Sequence, residues 1–198
     1  AGYESYFREN HWLPLRIRAK LVVTALHGAF QTLVNRHPCL RTRFIETAGE
    51  PTQVIVPQET LSFRHFTAPD EDLDTLMQRV HADYRRPFDL ERGPLLRVSL
   101  YSRGPEDHFL LVAIHHIIAD GWSLWRLLNE VGRLYPALVA GDHPELPALT
   151  CAYDHFVRWQ QTMLAEHGER LGAHWTEALR DALFEARANA CCRVRHGG

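Results

Sequence analysis

The stretch HFLLVAIHHIIADGWS, His108 to Ser123, begins as an unbroken apolar run and ends in polar, turn-forming residues. A run such as FLLVAI has no structural need to stop at two adjacent imidazoles. In an extended strand, successive side chains point to opposite faces. His115 and His116 therefore cannot both face one cleft if they continue the strand. One is expected to be structural, the other available for chemistry. His116 lies where the chain leaves the sheet and a side chain can meet a substrate, so it is the candidate reactive group. Asp120, just before the next apolar-periodic segment, is placed to cap a helix or to hold an arginine. Gly121 permits close backbone approach or a positive φ.

Reading outward, Leu124, Leu127, Leu128, Val131, Leu134 and Leu138 recur at helical spacing after the motif. Pro136 is expected to bend or shorten that helix. On the other side, Leu95 to Tyr101 and His108 to His115 pair as a hairpin around Gly104-Pro105. Both runs are almost continuously apolar, as in strands covered on both faces. Further upstream, Leu13 to Ile17 reads as a short strand and Leu21 to His37 as a helix. Leu40 to Ile45 and Gln53 to Val56 read as strands joined by Gly49, Glu50 and Pro51. A second helix is expected over Asp70 to Tyr84, with an acidic first turn suited to the helix dipole. Downstream, GDHPELPAL leads to two amphipathic stretches near Tyr153–Leu164 and Glu169–Leu179. The order is α+β, a mixed sheet flanked by helices.

With 198 residues, 45% of them hydrophobic and 23% charged, the chain can bury a sizeable core. A net charge of -2 argues against a nucleic-acid or anionic-membrane surface. No apolar run approaches the roughly 20 residues of a membrane span. Cys39, Cys151, Cys191 and Cys192 form no C-x-x-C pair, so a zinc knuckle or redox motif is unsupported; a reducing cytoplasm is the expected compartment.

Two rival chemistries fall on the motif itself. A metal site would use His115, His116 and Asp120, yet these flank a turn instead of sharing a helical face, and H-E-x-x-H is absent. A serine hydrolase would need G-x-S-x-G, whereas Ser123 follows Trp122.

HHIIADG resembles the HHxxxDG signature of condensation domains in nonribosomal peptide synthetases. Three further segments agree in order: RHPCLRTRF (Arg36 to Phe44), RRPFDLERGPLLRVSLY (Arg85 to Tyr101) and CAYDHFVRWQQTML (Cys151 to Leu164). The resemblance covers roughly residues 10 to 180. It implies a lobe like that of chloramphenicol acetyltransferase, paired with a second lobe across a substrate channel. It also implies amide-bond formation between aminoacyl or peptidyl thioesters. These are carried on the phosphopantetheine arms of donor and acceptor carrier proteins, with no cofactor bound directly. His116 is then the catalytic residue. His115, Asp120, Gly121 and Arg41 support it, with Asp120 paired to Arg41, and Trp122 and Ser123 lie along the channel.

On this reading residues 1–180 form the N-terminal lobe, and 181–198 a tail that need not belong to the native domain. Its partners would be the two carrier proteins and the C-terminal lobe. A lobe alone is expected to be inactive and to self-associate through the face that the other lobe would cover. Two other classes stay open: a related carrier- or CoA-dependent acyltransferase or epimerization domain, and a catalytically silent domain that docks carrier proteins.

Overall fold

The hairpin that carries the motif is the centre of the molecule. Strand β5 (Leu96–Gly104) and strand β6 (Asp107–His115) pair antiparallel. Strand β1 (Asn10–Ile17) adds antiparallel to β6, and strand β4 (Ser62–Thr67) adds parallel to β5. The result is a mixed four-stranded sheet in the order β1-β6-β5-β4. This is a computed structural model, and it describes residues 10–69, 71–142, 146–149 and 153–180.

Alternation along the two central strands sorts their side chains into two layers. Leu96, Val98 and Leu100, with Leu110, Val112 and Ile114, pack into the main core. There they meet helix α1 (Val23–Arg36) and helix α3 (Gly121–Ala140), which lie against each other. Tyr101, Phe109 and Leu111 face the other way, onto Leu76 and Val80 of helix α2 (Leu73–Tyr84). Both faces are thus covered, which is why the two strands read as continuous apolar runs. Trp12 extends the second layer, its ring 4.9 Å from that of Tyr84.

Several expected boundaries move. The first strand begins three residues earlier than Leu13. Leu40 and Arg41 are not in a strand: Pro38–Arg41 is a 3-10 turn, and only then does strand β2 (Thr42–Thr47) pair with β3 (Glu50–Ile55) in a separate ribbon. Proline at the turn's start, with φ preset, accounts for the difference. Strand β4 went unread because SFRHFT lacks a clean alternation. Helix α3 runs through Pro136 for 20 residues and ends at Gly141, whose φ of 81° closes it in the left-handed region. The two amphipathic stretches near the end are one helix, α4 (Tyr153–Ala178), passing through Gly168 and Gly172. It belongs to a second unit, Leu149–Gly198, distinct from Ala1–Ala148. Along it the rings of Tyr153, Phe156 and Trp159 stack on one another at three-residue spacing. Residues 181–198 lie outside the described residues. No helix among the described residues is long and apolar enough to cross a membrane.

Helix α2 starts at Leu73, not Asp70, because Asp72 caps it. The Asp72 carboxylate accepts hydrogen bonds from Thr75 N–H at 2.9 Å and from the Thr75 hydroxyl at 2.6 Å. These bonds, the hydroxyl's first, hold the carboxyl below its ordinary value of 3.8. A value lowered by folding stabilises fully above the unfolded value and is lost as pH falls through the folded one. Acid should therefore loosen α2. Amide-exchange protection factors in α2 should fall below about pH 4 in the wild type, and Asp72→Asn should flatten that dependence. An unchanged pH profile in the variant would remove Asp72 as its source.

Candidate active site

Strand β6 ends where its pairing ends. His115 N–H still donates to Leu95 O at 3.0 Å, and the chain then turns, with Ile118 N–H donating to His115 O at 3.1 Å. The two imidazoles part here. His115 is 3% exposed, on the same face as Phe109 and Leu111. His116, one residue on, is exposed at the turn. The expectation from strand alternation fits this arrangement: a buried ring and an accessible one.

What fixes His115 is local and specific. Its Nδ1 accepts the N–H of Ile117 at 3.1 Å, so a neutral His115 carries its proton on Nε2. Its ring meets the edge of Phe88, centroids 5.9 Å apart at 88°. Phe88 is pinned in turn by Arg97, whose guanidinium sits 3.9 Å above the ring centroid. Arg97 is 8% exposed and donates to Pro87 O at 3.0 Å and Arg86 O at 2.6 Å. Burial, then the nearby Arg86, pushes its pKa down to about 10, with Asp83 opposing. Phe88 and Arg97 were not among the sequence-derived site residues. The available signal was an arginine inside the apolar run LLRVSLY, where a charge needs a dedicated partner.

Asp120 is the N-cap of α3. Its Oδ1 accepts from Ser123 N–H at 2.8 Å and from the Ser123 hydroxyl at 2.6 Å. Ser123 is thereby committed to the cap, while Trp122 beside it is 80% exposed. Gly121 does not use the positive φ open to a glycine. It is the first residue of the helix, and a Cβ there would meet nothing within 4 Å. A glycine is demanded elsewhere, at Gly93, where φ is +61° and a Cβ would come within 3.3 Å of Glu59 Oε2.

Arg41, expected to pair with Asp120, makes hydrogen bonds to backbone carbonyls. Arg41 leaves the 3-10 turn and donates to Val34 O at 3.1 Å, Val56 O at 2.6 Å and Pro57 O at 3.0 Å. It ties the end of α1 to the end of β3. Arg43, the next arginine along, is bound to Glu59 at 2.8 Å. Arg41 supports the fold around the site through these three bonds. Asp120→Ala should then cost about 1 kcal/mol, the worth of an N-cap, and Asp120→Asn, which still caps, should cost less. Chemical denaturation of both variants measures this; equal losses would show that the charge, not the cap, is what counts.

Among the described residues no group of three or more His, Cys, Asp or Glu is placed to hold a metal ion. The site offers instead an exposed imidazole, a helix N-terminus one turn away, and an apolar border of Ile117, Trp122 and Trp125, all exposed. Such a border suits a large, uncharged substrate segment, and the imidazole suits proton transfer.

Comparison with known proteins agrees with this geometry. The model of the family described as "Condensation domain" matches residues 7–187. A linear gramicidin synthase of Brevibacillus parabrevis is 37% identical over 172 residues, 83% of this chain and 2% of that protein. Surfactin synthase subunit 2 of Bacillus subtilis is 34% identical over 174 residues, 86% of this chain and 4% of that protein. The chain thus spans a few per cent of the curated relatives it matches. Among solved structures, the X-domain from teicoplanin biosynthesis shares 29% identity at a TM-score of 0.71, with 82% of this chain and 35% of that one covered. The first condensation domain of the calcium-dependent antibiotic synthetase aligns at a TM-score of 0.78 and 23% identity, over 89% of this chain and 43% of that one; that likeness concerns the fold. The mixed sheet with helices on both faces is the chloramphenicol acetyltransferase-like fold of these domains. The sheet, the motif at the end of its inner strand β6 and the match over residues 7–187 together place this chain in the condensation-domain family of nonribosomal peptide synthetases.

Proposed function

We propose that this chain supplies one wall of a site that joins two carrier-bound thioesters through an amide bond. The observation that carries the reading is the exposed His116 held one residue beyond a buried, locked His115. In the reaction the acceptor's α-amine attacks the donor thioester carbonyl. The C–N bond forms, the C–S bond breaks, and the nitrogen's proton ends on the departing pantetheine thiol. His116 accepts that proton or orients the amine while it moves. The N–H groups of the first turn of α3, Gly121 among them, form the positive end of a helix dipole that favours the oxyanion. Holding both acyl arms in line provides much of the rate.

The partners are a donor and an acceptor carrier protein, which bring the substrates on phosphopantetheine, and a second lobe that completes the channel. The chain spans 43% of the first condensation domain of the calcium-dependent antibiotic synthetase, which supports such a division. The compartment that suits these partners is the cytoplasm. A second reading, a silent docking domain, has one observation behind it: the solved complex of the teicoplanin X-domain with OxyB, to whose X-domain this chain is 29% identical. One assay separates the two. The chain, joined to a C-terminal lobe, is mixed with a donor carrier bearing an acyl thioester and an acceptor bearing an aminoacyl thioester. A gain in acceptor mass equal to the acyl group supports condensation; carrier binding without transfer supports docking.

A further inference from the structure

The far end of the β5–β6 hairpin carries a second, unrelated cluster. His108 is the second residue of β6, seven residues from His115, about 23 Å along the strand at about 3.3 Å per residue. There a cavity of about 460 Å³ opens between the segment leading into α1 and the ends of β4, β5 and β6. Its volume lies within the usual range for small-molecule sites, roughly 300–1,000 Å³.

A hydrogen-bonded chain runs along its wall. His65 Nε2 lies 2.8 Å from Ser102 Oγ, Ser102 Oγ lies 2.7 Å from His108 Nδ1, and His108 Nε2 lies 3.2 Å from Pro105 O. A carbonyl only accepts, so the last contact sets the direction of all three. His108 carries its proton on Nε2, its Nδ1 accepts from the Ser102 hydroxyl, and Ser102 Oγ accepts from His65 Nε2–H. His108 and Ser102 are 4% and 8% exposed, so this chain is a fixed part of the fold. His65 is exposed. Its Nε2 is committed as a donor to Ser102 Oγ.

The charges around it are of one sign. Lys20 and Arg103 line the cavity with His65 and His108, and no carboxylate does. The nearest acid on these strands, Asp107, is bound by Arg16 at 2.8 Å and by Arg103 at 3.4 Å. Leu21, Val23, Pro69 and Pro105 supply apolar walls. We propose that this cavity binds a phosphate monoester with an apolar body, held by Lys20 and Arg103. Two cations match a dianion better than a carboxylate's single charge, and the cavity is far larger than a bare phosphate.

Lys20 is the only lysine in the sequence, which makes the test direct. Reductive methylation with ¹³C-formaldehyde keeps its charge and leaves one side-chain signal. Titrating the whole chain with phenyl phosphate should shift that signal saturably, with a Kd on the order of 1 mM as expected for a ligand of this size. Inorganic phosphate should bind several-fold more weakly, and phenol should leave the signal unmoved. Benzenesulfonate, with a single negative charge, should bind more weakly than phenyl phosphate, and Arg103→Gln should weaken the binding of both. Lys20→Gln, followed through the histidine ring protons, is a second variant and removes none of the hydrogen bonds named above. No saturable shift, an equal shift from sodium chloride at matched ionic strength, or unchanged affinity in the folded variants would overturn the site. Equal affinity for inorganic and phenyl phosphate would overturn its assignment to a monoester.

Discussion

In an intact two-lobed domain, His116→Ala is expected to slow transfer between loaded carriers by about 10²–10⁴-fold with little loss of stability. His116 is exposed at the turn after β6, so its removal empties no core. His115→Ala should behave in the opposite way. That ring is 3% exposed, accepts the Ile117 N–H and packs on Phe88. Its loss leaves an amide donor without its partner, at roughly 1–3 kcal/mol, and a gap beside an aromatic ring. The melting temperature should drop and activity should fall in part, through a turn that no longer holds its shape. Single-turnover transfer, read as the mass of the acceptor carrier, together with thermal melts of both variants, gives the comparison. Equal losses of rate in two equally folded variants would mean that the division of labour between the two histidines is wrong.

How far the sequence reveals this arrangement depends on whether a residue's role is local. The hairpin, the helix after the motif and the capping position of Asp120 were all legible, because period, turn residues and cap chemistry act over a few positions. The opposite fates of His115 and His116 followed from alternation alone. What escaped depends on contacts made across the fold. Arg41 sits in a segment that reads as a strand, but Pro38 tightens it into a turn, and its guanidinium then meets three carbonyls remote in sequence. Nothing near Arg41 in the sequence announces them. Strand β4 is held by parallel pairing to β5 across the α2 crossover, so its signal lies in its neighbour. The Phe88–Arg97 support of His115 is of the same kind: each residue is ordinary until the ribbon from Arg85 to Leu95 folds back on itself.

The largest stability loss outside the apolar core should come from Asp83, in the last turn of α2. Its side chain is 9% exposed. One oxygen, Oδ2, accepts the hydroxyls of Ser99 and, at 3.0 Å, Tyr101. The other, Oδ1, lies 3.1 Å from Arg86 and 3.6 Å from Arg64. Burial first, and then the adjacent carboxylate, raises the Tyr101 pKa above its ordinary value, so the phenol stays a donor. Asp83→Ala leaves two hydroxyls of β5 without acceptors. It also leaves Arg97 beside Arg64 and Arg86 without the carboxylate that offsets them. Orphaned buried hydroxyls cost roughly 1–3 kcal/mol each, and water entering from the Arg86 side recovers some of that. A net loss of about 3 kcal/mol is expected, or a fall of about 6–12 °C in melting temperature for a chain of this size. Asp83→Asn keeps an acceptor and should lose less. The effect should also travel. With Arg97 less firmly held over Phe88, the ring protons of His115 should shift in the spectrum of Asp83→Asn. A destabilised variant whose His115 signals are unchanged would confine Asp83 to the joint between α2 and β5, and would break the line of contacts from that helix to the turn that presents His116.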